Sequence, residues 1–162
     1  MENDKMEYDL ERFRLAQNED YELALSEIKA GRKRSHWIWY IFPQLKRLGK
    51  SAMTEYYGLQ DLDEAKAYLS DPVLGKRLIE ISNALLTLDS SDPGSVMGCP
   101  DDIKLCSCMT LFAEADPNEP VFRKVLDKFY GGRSATTFFF IIKGYSNRLQ
   151  RYGFSTKHTT FA

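Results

Sequence analysis

The apolar residues of this chain recur every three or four positions, and this spacing constrains its fold more than any other feature. The clearest stripe lies mid-chain and consists of Leu74, Leu78, Ile81, Leu85 and Leu88. Such spacing puts apolar side chains on one face of an α-helix, which then packs against a core. Similar stripes run from Ile103 to Phe112 and from Val121 to Phe129. We therefore predict an all-α fold, a compact single-domain bundle of about six helices.

Residues with turn or capping preferences mark the predicted helix ends. Asn18 or Asp20 is expected to cap a helix that ends at Gly31, and Ser35 a short aromatic helix. The stretch 89–100 contains Ser, Asp, Pro and Gly and is predicted to be a loop. The helical domain is expected to span residues 8–143, and residues 144–162 form a divergent C-terminal tail. The run 136–142 could be a strand, but it has no partner, so a buried helix or an oligomer contact is expected.

Composition narrows the class of protein. The 162 residues carry a net charge of −1 and are 43% hydrophobic and 28% charged, which is an ordinary globular balance. A dedicated nucleic-acid binder usually has a basic surplus, so nucleic acid is an unlikely partner. The sequence has no apolar run of about 18 residues and no signal peptide at its charged N-terminus. We therefore expect a cytoplasmic protein without a membrane-spanning helix.

No motif in the sequence indicates a metal or a cofactor. Cys99, Cys106 and Cys108 are odd in number, match no common zinc spacing and are predicted to be free thiols, buried or half-buried. Gly49-Lys50-Ser51 resembles the end of a phosphate-binding loop but lacks the earlier glycine. The sequence therefore predicts neither a metal site nor a cofactor.

The densest mixture of ionisable and aromatic residues lies between Arg32 and Gln44. His36 could act as a general acid or base, Trp37 or Trp39 could stack on a planar ring, and Lys33 could bind an anion. Gln44 can donate and accept hydrogen bonds at once. Each residue also has a structural alternative, because aromatic segments build cores and histidines are often buried with one satisfied hydrogen bond.

A second group of candidates lies at the start of the helix expected after Pro100. Asp102 could act as an acid or base, and Lys104 and Ser107, one helical turn apart, could face one cavity. Asp101 and Asp102 could equally be capping residues. Together the two segments predict His36 and Asp102 as catalytic residues. The predicted ligand-binding residues are Lys33, Trp37, Gln44, Lys104 and Ser107.

Several strings resemble the domain of unknown function 1810 family. The most specific is His36-Trp37-x-Trp39-x-x-Phe42-Pro43-Gln44, and further matches include Leu74-Gly75-x-Arg77-Leu78 and the segment 102–112. The resemblance covers residues 10–130 and implies a compact helical fold but no known reaction. Some members carry a calpastatin label. Calpastatin-type inhibition would require a disordered, repeat-bearing chain, and this sequence contains no such repeats. The family's usual Asp after the last long helix is absent from residues 132–138.

Two functions are expected from these residues. The first is binding of an anionic or nucleotide-like small molecule, such as an ADP-ribose-like compound, with or without metal-independent hydrolysis or transfer. It requires His36, Gln44 and Lys104 to converge on a concave pocket. The alternative is a non-catalytic helical interaction module with His36 packed away and a flat apolar patch. In either case, Phe138 to Ile142 could mediate homo-oligomerisation.

Overall fold

The computed structural model describes residues 8–132, and these residues form eight α-helices. The helices are α1 (Glu11–Lys29), α2 (Ile38–Ile41), α3 (Ala52–Tyr57), α4 (Leu62–Ser70), α5 (Leu74–Leu86), α6 (Pro93–Met97), α7 (Asp101–Ala115) and α8 (Pro120–Tyr130). A 3₁₀ turn at Lys46–Leu48 joins α2 to α3, and a single parallel bridge pairs Leu45 with Leu59. Residues 8–132 contain no β-strand. The all-α prediction is confirmed, with five long helices and three short ones.

Helix α7 runs through the centre of the bundle and packs against α2, α4, α6 and α8. Leu105, Met109 and Phe112 on this helix are fully buried, and so are Cys106 and Cys108. The two thiols point to different sides of the helix, and both are buried because neighbouring helices cover it on several sides. All three cysteines are free, and burial raises the pKa of Cys108 well above its usual value. The predicted free thiols are therefore confirmed, although Cys99 is exposed.

The first helix is continuous, whereas the sequence predicted a new helix capped by Asn18 or Asp20. The polar side chains in its middle bind other helices instead of capping. Gln17 is buried and donates to the backbone oxygen of Tyr40 and to the hydroxyl of Tyr68, each at 2.8 Å. Asp20 accepts a hydrogen bond from the hydroxyl of Tyr40. Asn18 accepts from the guanidinium of Arg77 at 3.4 Å. The predicted cap at Asn18 or Asp20 was wrong, because both residues lie inside a continuous helix and have tertiary partners.

Two further local predictions need correction. The stretch 89–100 contains a short helix, α6, whose first turn is capped by Asp92 and begins with Pro93. It forms because Val96 and Met97 are buried against the core. Ser35 caps no helix, since α2 begins after Trp37 without a side-chain cap. The hydroxyl of Ser35 donates to Glu27 instead.

Capping residues form several other helix ends. Asp61 caps α4 by accepting a hydrogen bond from the backbone N–H of Glu64. The carboxylate of Asp71 accepts from the backbone N–H groups of Val73 and Leu74 at the start of α5. Gly131 ends α8 in the left-handed conformation. The predicted domain end at residue 143, the tail 144–162 and the aromatic segment 138–142 lie outside the described residues.

Candidate functional site

The segment between α1 and α2 is organised by one buried carboxylate. Glu27, in the last turns of α1, accepts hydrogen bonds from the backbone N–H groups of Arg34 (2.9 Å) and Ser35 (3.0 Å). It also accepts from the Ser35 hydroxyl at 2.5 Å and from Nε1 of Trp37 at 2.8 Å. Burial would raise the pKa of Glu27, but these hydrogen bonds outweigh burial and lower the pKa to about 2. Glu27 therefore stays charged and fixes the segment that carries the predicted site.

Lys33 is held by partners on several sides. Its ammonium lies 2.7 Å from Oδ2 of Asp101 at the start of α7, and it donates to the backbone oxygen of Ser35. It also lies 4.9 Å from the centre of the Trp37 ring. The side chain is only 7% exposed. Lys33 thus links the segment after α1 to α7, and its side chain is almost fully buried.

The two tryptophans have different environments. Trp37 is fully buried, and its indole N–H is bound by Glu27. Trp39 is half-buried, and its Nε1 is buried without any hydrogen-bond acceptor in the described part of the chain. The ammonium of Lys104 lies 5.3 Å from the Trp39 ring centre. Nearly all buried donors in proteins have an acceptor, so the Trp39 N–H is the unusual group of this region.

Trp39, Gln44 and Lys104 line one small pocket between α2, α3 and α7. Its other lining residues are Ile38, Phe42, Thr54, Tyr57 and Gly58. The room inside is about 10 Å³, which is enough for one water-sized group. Drug-sized ligands occupy pockets of roughly 300–1,000 Å³. This pocket can therefore receive the end of a ligand but cannot enclose a nucleotide.

The donors around the pocket are incompletely used. The Gln44 side chain makes no hydrogen bond to another described residue, and only its backbone oxygen accepts, from Leu59. The Lys104 ammonium lies 3.9 Å from Oδ1 of Asp101, beyond direct hydrogen-bond distance. An acceptor oxygen in this pocket could therefore bind the indole N–H of Trp39, the amide N–H of Gln44 or the ammonium of Lys104.

The structure brings some predicted site residues together and separates others. Gln44 and Lys104 line the same pocket, as the pocket hypothesis requires, while His36 is exposed and Ser107 is half-buried, and neither lines it. Lys33 and Trp37 lie next to the pocket, connected to Lys104 through Asp101.

Asp102 lies elsewhere, in a groove beside α6 and the end of α8. It is 8% exposed, and burial raises the pKa of its carboxyl. No described pocket contains both predicted catalytic residues, His36 and Asp102.

Thr54 and Tyr57 were missed as site residues, and of the two tryptophans the sequence favoured Trp37 over Trp39. Trp39 belongs to the same string as Trp37, but only the tertiary structure shows which indole lacks an acceptor. Thr54 and Tyr57 belong to α3, a helix with no distinctive motif. Among residues 8–132 no group of His, Cys, Asp or Glu side chains could hold a metal ion. No helix in this range is both long and apolar enough to cross a membrane.

The fold and the pocket together define a small helical protein with a narrow, mostly apolar cleft that Trp39, Gln44 and Lys104 help to line. The chain belongs to the DUF1810 family of proteins of unknown function, which matches residues 7–140. It is similar to the crystal structure of the conserved hypothetical protein Rv1873 from Mycobacterium tuberculosis, with 43% sequence identity and a TM-score of 0.77. That match covers 80% of this chain and 95% of the other. No curated protein matches the chain. The family predicted from the tryptophan string is thus confirmed.

Proposed function

We propose that the protein binds a small molecule through an anionic or carbonyl oxygen that enters the pocket of Trp39, Gln44 and Lys104. The observation that carries this proposal is the buried Nε1–H of Trp39, which has no acceptor among the described residues. A buried donor without an acceptor costs about 1–3 kcal/mol. A ligand oxygen that accepts this hydrogen bond would recover that free energy, and the recovered free energy would favour binding.

The charge and shape of the pocket support an anionic group. Lys104 supplies a cation whose side chain is one quarter exposed and whose nearest carboxylate oxygen is 3.9 Å away. Gln44 adds an amide donor. A hydrogen bond to a charged group contributes about 1.5–3 kcal/mol, so an anionic oxygen that accepts from these donors would be bound in preference to an apolar group.

The small volume limits which part of a ligand can be buried. A carboxylate or phosphate oxygen fits a space for one water-sized group, whereas a base or a sugar would lie outside it. A nucleotide derivative such as an ADP-ribose-like compound would therefore insert only one terminal oxygen. The proposal is for binding, because the two predicted catalytic residues, His36 and Asp102, do not line this pocket.

The rival function, a helical interaction module, has less support within residues 8–132. The large apolar side chains exposed there are Leu15 and Leu23 on α1, Tyr56 on α3 and Val73 before α5. His36 is exposed and not packed away as that function requires. The segment 138–142 that could contact a partner lies outside the described residues.

Isothermal titration calorimetry on the purified full chain tests the binding proposal. The probes are acetate, inorganic phosphate and ADP-ribose, which separate a bare anion from a nucleotide derivative. We expect saturable binding of at least one probe, weakened about 10-fold or more in Trp39→Phe and in Lys104→Met, since each variant removes one hydrogen bond to a charged group. Trp39→Phe keeps an aromatic ring and removes the N–H.

Lys50→Met is the matched control, because Lys50 is exposed and does not line the pocket. It should bind the same probe as tightly as the unmodified chain does. The proposal is wrong if no probe binds saturably at millimolar concentration. It is also wrong if Trp39→Phe and Lys104→Met, both shown to be folded by circular dichroism, bind as the unmodified chain does.

A further inference from the structure

The lysine of the pocket between α2, α3 and α7 belongs to a chain of three charged residues. The ammonium of Lys104 lies 3.9 Å from Oδ1 of Asp101, and Oδ2 of the same carboxylate lies 2.7 Å from the ammonium of Lys33. Because Lys33 is the nearer cation, it compensates most of the aspartate charge. Two lysines and one aspartate leave a single positive charge over, and it lies on Lys104, the member of the chain that lines the pocket.

The rest of the pocket is a poor environment for a second negative charge. Among its lining residues within 8–132, Lys104 is the only one that is charged at pH 7, while Ile38 and Phe42 line it with buried hydrocarbon. Removing a charge from water costs free energy that a nearby opposite charge must offset. One lysine charge can offset a monoanion. A phosphate monoester carries roughly −1.5 to −2 at pH 7, so part of its charge would stay uncompensated.

The mouth of the pocket can contact the carbon chain of a ligand. The interior has room for one water-sized group, so the atoms beyond the first oxygen stay at the opening. Trp39 and Tyr57 both line the pocket and are half-buried, so part of each residue remains exposed. Aromatic side chains of this kind pack well against hydrocarbon. The opening therefore suits a charged head group with an apolar stem.

We infer that the ligand of this pocket is a monocarboxylate on an apolar stem, and that Asp101 and Lys33 set this preference. The inference rests on the proposed function, because it uses the same pocket and the same N–H of Trp39. Asp101 lowers the positive potential around Lys104 and so disfavours a dianion. Lys33 compensates Asp101 and so leaves Lys104 available to a monoanion. Neither Asp101 nor Lys33 lines the pocket, so both are positioning residues that act through Lys104.

Calorimetric titration of the full chain at pH 7 with three probes that share an alkyl stem tests the head-group preference. Butyrate carries one negative charge, butyl phosphate carries nearly two and butyramide carries none. We expect butyrate to bind at least about 10-fold more tightly than either of the other two. It should also bind about threefold more tightly than acetate, because its longer stem contacts Trp39 and Tyr57.

The substitution Asp101→Asn tests the charge chain. Removing this carboxylate raises the positive potential at Lys104, so the affinity for butyl phosphate should rise relative to that for butyrate by about threefold or more. A purely structural defect would weaken both probes alike. Asp63→Asn is the matched control. It also removes a carboxylate from the first turn of a helix, it is exposed and does not line the pocket, and it should leave the ratio of the two affinities unchanged.

The substitution Lys33→Met should act in the opposite direction. Without Lys33, the carboxylate of Asp101 is compensated by Lys104 instead, and butyrate should bind about threefold more weakly or worse. The double variant Lys33→Met/Asp101→Asn again has a single positive charge at the pocket, so it should recover most of the affinity for butyrate. Circular dichroism checks that each variant is folded.

The outcomes separate this inference from the proposed function. If butyl phosphate or butyramide binds as tightly as butyrate and Trp39→Phe weakens that binding, the proposed function stands and the inference is refuted. The inference is also refuted if folded Asp101→Asn leaves the ratio of the two affinities unchanged. If none of these probes binds saturably, and neither do inorganic phosphate and ADP-ribose, the proposed function fails and the inference fails with it.

Discussion

Replacing Glu27 by Gln should lower the free energy of unfolding at pH 7 by about 3 kcal/mol. The drop in the pKa of Glu27 from its usual 4.5 to about 2 sets this magnitude, since each pKa unit is worth about 1.4 kcal/mol. Gln has nearly the same shape, and its oxygen can still accept from the backbone of Arg34 and Ser35 and from the indole of Trp37. The substitution therefore removes mainly the charge that strengthens these hydrogen bonds.

The stability difference between the unmodified chain and Glu27→Gln should depend on pH in a defined direction. The pKa of Glu27 is lowered by folding, so its contribution to stability is fully present above pH 4.5 and is lost as the pH falls towards 2. The free energy of unfolding of the unmodified protein should therefore approach that of Glu27→Gln as the pH falls across that range. Every other carboxyl group titrates in both proteins, so the difference between the two curves isolates Glu27.

Urea unfolding followed by circular dichroism at several pH values measures this difference. Glu22→Gln is the control, because Glu22 is exposed on the same helix and should change the free energy of unfolding little at any pH. The reasoning fails if Glu27→Gln is as stable as the unmodified chain at pH 7. It also fails if the difference between the two proteins stays constant from pH 7 down to pH 2.

Three further substitutions test other parts of the structure. Gly75→Ala should destabilise the fold by about 1–3 kcal/mol, because a Cβ there would lie 2.0 Å from the backbone oxygen of Leu69, and an unchanged melting temperature would contradict this. Arg12→Met should lower the free energy of unfolding in urea by about 3–5 kcal/mol, because it leaves the buried carboxylate of Glu64 without its cation. Adding Glu64→Gln to this variant should restore part of the lost stability. Asp102→Asn should raise the free energy of unfolding at pH 7, because burial raises the pKa of this carboxyl and its charged form opposes folding. That gain should shrink as the pH falls and Asp102 takes up its proton, so a gain independent of pH would contradict the assignment.

Which residues come together at the pocket was only partly predictable. Gln44 and Lys104 were both chosen for their chemistry, one at the end of an aromatic segment and one in the first turn of α7, and they line one pocket. Trp37 was chosen as the ligand-facing ring, yet it is the tryptophan whose N–H is bound by Glu27, while Trp39 lines the pocket. Nothing in the spacing of two tryptophans two residues apart says which one meets a carboxylate from another helix.

The sequence by itself determined the helical class, the stripe of α5, the start of α7 and the family to which the chain belongs. These features depend on residues near one another in the chain: apolar spacing, capping side chains and a contiguous string.

Only the tertiary structure decided the continuity of α1, the short helix α6 and the separation of His36 from the groove that contains Asp102. Asn18 and Asp20 would serve as caps in an isolated segment, but in the folded chain they accept hydrogen bonds from Arg77 and Tyr40. Buried polar groups form hydrogen bonds with the groups that tertiary packing places next to them, and these groups belong to distant parts of the chain.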